Sequence, residues 1–199
     1  MEPVTALAQA IPRPAGRGAR LAVDAGLVVG ASLVIALLAQ VSFHLRFVPI
    51  TGQTLAVLLV GAALGSVRGG VAVGLYLAQG ASGLPFFAEG KAGLDYLVLR
   101  DPLHATGGYL WGFLLAAVVV GFLAERGWDR RFASAVGAMF VGNVAIYLLG
   151  LPWLAAAIGT SVEDALPFGL YPFVIGDTVK LLLAATLLPA AWRLAPRRG

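Results

Sequence analysis

The sequence predicts an all-α integral membrane protein, with six transmembrane helices in one compact bundle and both termini in the cytoplasm. Three observations carry that expectation. Hydrophobic residues occupy 59% of the 199 positions and charged residues 12%, about half the share found in soluble domains. With 14 Lys+Arg and 10 Asp+Glu, the chain has too few charges to cover a water-soluble globule of its size. Six apolar runs follow one another along the chain, and the basic residues sort by the segments between them. With the N-terminus inside, Arg13, Arg17, Arg20, Arg68, Arg126, Arg130, Arg131, Arg193, Arg197 and Arg198 fall on the cytoplasmic side. Arg46, Lys91 and Arg100 fall outside, and Lys180 lies within the last run, as the positive-inside rule requires. The hydrophobicity excludes disorder, and the absence of cysteine excludes a disulfide scaffold.

Each element follows in order. Residues 1–20, rich in Pro and Arg, read as a solvated cytoplasmic tail. The first helix covers residues 21–40, with Asp24 as its one charge; about 20 residues cross the ~30 Å hydrocarbon core. A cleaved signal peptide is the rival reading, but the apolar part is too long and no small-residue cleavage site follows. Residues 54–66 and 71–84 form the second and third runs, joined by a tight turn over 65–70. Both are short, so a single re-entrant hairpin is the alternative. The fourth run covers 107–124, the fifth 132–154 and the sixth 171–194; residues 195–199 form a basic cytoplasmic tail. No repeat of fixed period is visible, which favours one bundle over an array.

The polar and Gly/Pro clusters at 48–54, 83–87, 105–109 and 169–173 all fall on the outer side, as an outward-facing pocket would require. Asp177 and Lys180 are the strongest single feature. Each costs ~2.5–3.5 kcal/mol near the centre of a membrane helix, and the i, i+3 spacing puts both on one face. Nine steps from Tyr171, about 14 Å of rise, place Lys180 near mid-membrane. An internal ion pair is the bland reading. A ligand site is the functional one: a carboxylate that accepts beside an ammonium that donates suits a ligand with N–H groups and a carbonyl. Thr51 or Thr54 could cap the second helix, which leaves Gln53 unexplained. Gly107 and Gly108 either offer N–H groups to an anion at a helix N-terminus or allow close helix packing. Tyr109 is an interface anchor or a pocket wall. Asn143 and Tyr147 share a face of the fifth helix, and for Asn143 interhelical hydrogen bonding competes with ligand contact. Gly26 and Gly30 serve internal packing or the docking of another membrane subunit. His44 and His104 read as solvated loop residues. No phosphate-binding loop, metal-ligand spacing or nucleophile–base arrangement is legible, so no enzyme, cofactor or metal is expected, and no nucleic-acid partner.

Taken in order, Val48-Pro49-Ile50-Thr51-Gly52-Gln53-Thr54, Leu64-Gly65 with Arg68-Gly69-Gly70, Gly83-Leu84-Pro85-Phe86-Phe87, Thr106-Gly107-Gly108-Tyr109-Leu110-Trp111-Gly112-Phe113, and Phe173 with Gly176-Asp177-Thr178-Val179-Lys180 form a specific set. They resemble the BioY family, the biotin-specific substrate-binding (S) components of energy-coupling factor (ECF) transporters, over residues 21–194. The resemblance implies a six-helix protein of a bacterial-type inner membrane that captures biotin at its outer face. It implies as partners a membrane scaffold (T) component and two ATPase subunits. The family's head-group residues match Asp177 and Lys180, and its pocket segments match Thr51, Gln53, Gly107, Gly108 and Tyr109. Phe86, Tyr109 and Trp111 would wall the apolar part of the ligand, with Asn143 a further contact. The chain departs from the family at His104-Ala105-Thr106, where Gly-Pro-Thr is usual, and in the charged stretch 91–104. It also has Gly26/Gly30 where the docking motif is typically Ala-x-x-x-Ala. A stand-alone carrier or channel using Asp177/Lys180 as a relay is the competing function.

Overall fold

In the computed structural model, residues 6–10 and 14–195 are described. Helix α1 spans Arg17–Ala39, so it starts before the predicted residue 21. Part of the expected tail, residues 1–5 and 11–13, lies outside the described residues. Leu7–Ala10 form a 3-10 turn, and Ala6, Ala8 and Ala10 are buried, their small side chains fitting against the bundle. Arg13, Arg197 and Arg198 lie outside the described residues, as does the tail from 196 onward.

After α1, strands β1 (Ser42–Phe43) and β2 (Ile50–Thr51) pair antiparallel, with Ser42 opposite Thr51. Helices α2 (Gln53–Leu64) and α3 (Ser66–Ala81) meet at one residue, Gly65, whose φ of 84° disfavours any side chain. The turn is therefore shorter than the predicted 65–70, and Arg68, Gly69 and Gly70 belong to the start of α3. Ser66 N and Oγ both donate to Glu125 Oε1 (2.8 and 3.0 Å), satisfying the helix start. At 12 and 16 residues, the two helices are about 18 and 24 Å long. Among the described residues, 17–39, 102–125, 132–158 and 162–194 are the helical stretches long and apolar enough to cross a membrane.

Short α4 (Asp95–Val98) precedes α5 (Gly107–Glu125), which packs against α2, α3 and α6 (Phe132–Ile158) at the centre of the bundle. Short α7 (Val162–Gly169) and α8 (Val174–Leu194) follow, with α8 seated between α2 and α6. Burial separates the centre from the edge. In the most apolar 18-residue window, 61% of the stretch containing α5 is buried, against 17% of α1. The chain direction puts the starts of α2, α5 and α8 at one end, with the β-hairpin and α4. Arg17, Arg20, Arg68, Arg126, Arg130, Arg131 and Arg193 gather toward the other.

Candidate functional site

A cavity opens at the β-hairpin end, among α2, α5, α6 and α8 and under the loop that carries Phe87, Lys91 and Tyr96. Its polar floor is a network on three helices. Lys180 Nζ donates to Asp177 Oδ1 (3.0 Å) and to Thr54 Oγ1 (2.9 Å). Thr54 Oγ1 donates in turn to Asp177 Oδ1 (3.4 Å), and Tyr147 OH donates to Asp177 Oδ2. Asp177 is buried. A buried charge persists only when paired and hydrogen-bonded, and both carboxylate oxygens here have partners. The ammonium has three N–H donors and uses two, which leaves one for a ligand.

A second network forms the neighbouring wall. Thr51 Oγ1 donates to Gln53 Oε1 (2.8 Å), and Gln53 Nε2 donates to Tyr76 OH (2.5 Å). Tyr76 OH passes the chain on to Phe86 O (3.3 Å). Neither threonine is the N-cap of α2, a position held by Gly52. Thr51 Oγ1 does accept from Gln53 N (3.2 Å), a local turn contact. Tyr109 lines the cavity and anchors its hydroxyl on Gly169 O (2.9 Å). Leu110, Phe113, Ile146 and Phe173 make the remaining wall apolar.

Five of the predicted site residues therefore converge: Asp177, Lys180, Thr51, Gln53 and Tyr109. The others do not. Phe86 is outside the lining, and its neighbour Phe87 takes the place expected of it. Trp111 lies on another side of α5, in a surface hollow beside Trp153, with its Nε1 donating to Leu97 O (3.0 Å). Gly107 and Gly108 pack instead of facing the cavity; a Cβ on Gly107 would fall 2.6 Å from Trp153 Cζ2, and one on Gly108 2.8 Å from Trp153 Cγ. Thr106 lines the cavity beside them. Asn143 is buried but lines a separate groove between α6 and α8, where its Oδ1 has no hydrogen-bond partner. Gly26 and Gly30 line a shallow groove between α1 and α2, and a Cβ on either would meet nothing within 4 Å. The bundle does not need them for its own packing.

Sequence reasoning missed Thr54, Tyr147, Lys91 and Tyr96 as lining residues. Tyr147 carried a signal, standing i+4 from Asn143. Thr54 stands beside Gln53 at the start of an apolar run, where it reads as a cap.

The loop over the cavity is clamped from the end of α1. Gln40 Nε2 donates to Phe87 O (3.2 Å), and Gln40 Oε1 accepts from Gly90 N (3.1 Å). His44 Nδ1 and Lys91 Nζ bind the two oxygens of Glu89 at 2.5 and 2.8 Å. Against the desolvation of partial burial, those hydrogen bonds hold the Glu89 carboxyl below its ordinary range. Among the described residues, no group of three His, Cys, Asp or Glu side chains is placed to hold a metal ion.

A buried donor–acceptor floor under an apolar wall is a binding arrangement. Residues 13–197 match the model of the BioY family. The chain belongs to that family. It is 41% identical over 167 residues to the biotin transporter BioY of Rhodobacter capsulatus, covering 77% of this chain and 84% of the relative. The biotin transporter BioY of Thermotoga maritima is 39% identical over 149 residues, covering 75% of this chain and 83% of the relative. The fold is shared with the crystal structure of the S-component for biotin from an ECF-type ABC transporter. That match has a TM-score of 0.74 at 21% identity and covers 94% of this chain and 97% of the other.

Proposed function

We infer that the protein is the biotin-capturing S-component of an ECF-type uptake transporter and not an enzyme. The observation that carries this reading is the Asp177–Lys180–Thr54–Tyr147 network at the floor of an apolar-walled cavity, in a chain of the BioY family. A ureido ring has one carbonyl and two N–H groups. Lys180 would donate to the carbonyl and Asp177 accept from the ring, while Phe87, Tyr109 and Phe113 would cover the thiophane ring and valeryl chain. Binding of biotin to purified wild-type, Asp177→Asn and Lys180→Met proteins tests it. At least a tenfold loss, ~1.4 kcal/mol, is expected in both variants, and wild-type affinity in both would remove the site assignment.

The finer reading has six crossings of the cell membrane and both termini in the cytoplasm. In it, α2 and α3 complete their crossings through the β-hairpin and the loop after α3. Irregular backbone at membrane depth is tolerated where it lines a cavity, as Val48, Pro49 and Phe87 do. The gathering of seven described arginines at one end supports the orientation. Because the chain has no cysteine, single cysteines at Arg20, Arg68 and Trp128 report it directly. All three should react from the cytoplasmic side only; labelling of position 68 from outside would favour the re-entrant hairpin.

A T component and two ATPases would supply energy, with docking through the α1–α2 groove at Gly26 and Gly30. A biotin auxotroph expressing this chain should stop growing when the ATPases are deleted. Continued growth would favour a stand-alone carrier.

A further inference from the structure

We infer that Lys91 is the carboxylate-recognising end of the cavity, and that Glu89 occupies it as an internal stand-in when no ligand carboxylate is present. This rests on the biotin reading of the site. Two cations, Lys180 and Lys91, line the cavity, and their surroundings differ. The Lys180 side chain is 16% exposed and already committed to Asp177 and Thr54. The Lys91 side chain is 36% exposed, at the solvent-facing mouth, and its carboxylate partner Glu89 stands two residues away on the same loop. One end thus suits a neutral donor–acceptor head, and the other suits a negative tail.

Glu89 is held there by more than Lys91. Its backbone lies in the left-handed region (φ 62°), its other oxygen is bound by His44, and Gln40 grips the peptide groups on either side of it. The loop therefore keeps its shape if Lys91 changes partner. The ammonium end of the pair is the open one, 36% exposed against 19% for Glu89, so a ligand carboxylate can take the ammonium while His44 retains Glu89. The ligand class is an amphipathic molecule with an N–H/C=O head and a free monocarboxylate tail. An ester or amide at the tail forgoes the exchange.

Titration calorimetry of the purified full-length protein with biotin and with biotinamide tests the assignment. Wild type should bind biotin about tenfold tighter than biotinamide, the scale of one charge-assisted hydrogen bond less the pair it replaces. Lys91→Met should bring that ratio to about one. Lys91→Arg should keep it above one, and Glu89→Gln, which frees the ammonium, should raise it above the wild-type value. An unchanged ratio in Lys91→Met, or equal weakening of both ligands, would overturn the subsite while leaving the head-group site standing. If wild type binds neither ligand, the biotin reading itself fails, and the subsite with it.

Discussion

The glycines of α5 and those of α1 lie in helices of comparable apolarity, yet they meet opposite surroundings. A Cβ on Gly112 would stand 2.6 Å from Ile146 O, and one on Gly121 2.6 Å from Ser66 Cα. Around Gly26 and Gly30 there is nothing within 4 Å. At the α5–α6 seam, as where Gly121 meets the α2–α3 turn, the missing side chain is what lets two backbones touch, and the seam sets the rings of Tyr109 and Tyr147 edge to face at the cavity. In the α1–α2 groove the missing side chain leaves an open apolar trough with no internal purpose. Small residues at helical spacing therefore mark a place where a backbone can approach, without saying whose.

The largest expected effect attacks the seam. Gly112→Leu drives a branched side chain into the α6 backbone and should abolish monodisperse protein in detergent. Gly112→Ala should cost about 1–3 kcal/mol through overpacking, read as a lowered thermal midpoint. Normal stability in the leucine variant would break the comparison. Tyr147→Phe comes next. It removes one donor to the buried Asp177 carboxylate and should weaken biotin binding roughly tenfold, at about 1–3 kcal/mol for an unsatisfied buried charge acceptor.

Asp129 gives a smaller, pH-dependent effect at the far end. It is fully buried in the α5–α6 loop, Trp192 Nε1 of α8 donates to it at 2.5 Å, and its Oδ1 has no hydrogen-bond partner. Burial pushes its carboxyl above the ordinary range, against the pull of Trp192 and Arg130. A carboxyl raised in the folded state favours the neutral form. Its contribution to stability is therefore greatest below the ordinary aspartate pKa of ~3.9 and declines as pH rises through the folded value. Asp129→Asn keeps an acceptor for Trp192 and removes the charge. Its thermal midpoint relative to wild type should rise between pH 4 and pH 7, and a pH-independent difference would show that the charge is not the cause.

The smallest effect on the isolated protein belongs to the groove. Gly30→Leu should leave stability within about 0.5 kcal/mol, the range of surface substitutions, and leave biotin binding intact, while uptake in cells is lost. Retained uptake would remove the docking reading and leave the α1 glycines without a role.

Much of the candidate site was legible because it depends on local rules. Asp177 and Lys180 share a helix face at i, i+3, and their cost in a membrane marks them whatever surrounds them. The misplacements have equally local causes. Tyr109 and Trp111 are two residues apart on one helix and point to nearly opposite sides, so both could not wall the same cavity. Phe86 and Phe87 follow the end of α3, where no helical period says which ring turns inward. Gly107 and Gly108 satisfied two readings at once, and only the neighbouring Trp153 decides for packing.

The sequence by itself determined the solvent, the apolar runs, the sorting of the arginines and the buried acid–base pair. Each of these follows from transfer free energy and a helical period, which act residue by residue. Only the tertiary structure decided that Thr54 meets Asp177 across 123 positions and Tyr147 across 30. It alone decided that α2 and α3 turn on a single glycine, and which glycines are filled by a neighbouring helix. Those outcomes depend on how each helix is rotated and what lies opposite it, and no local pattern along the chain carries that information.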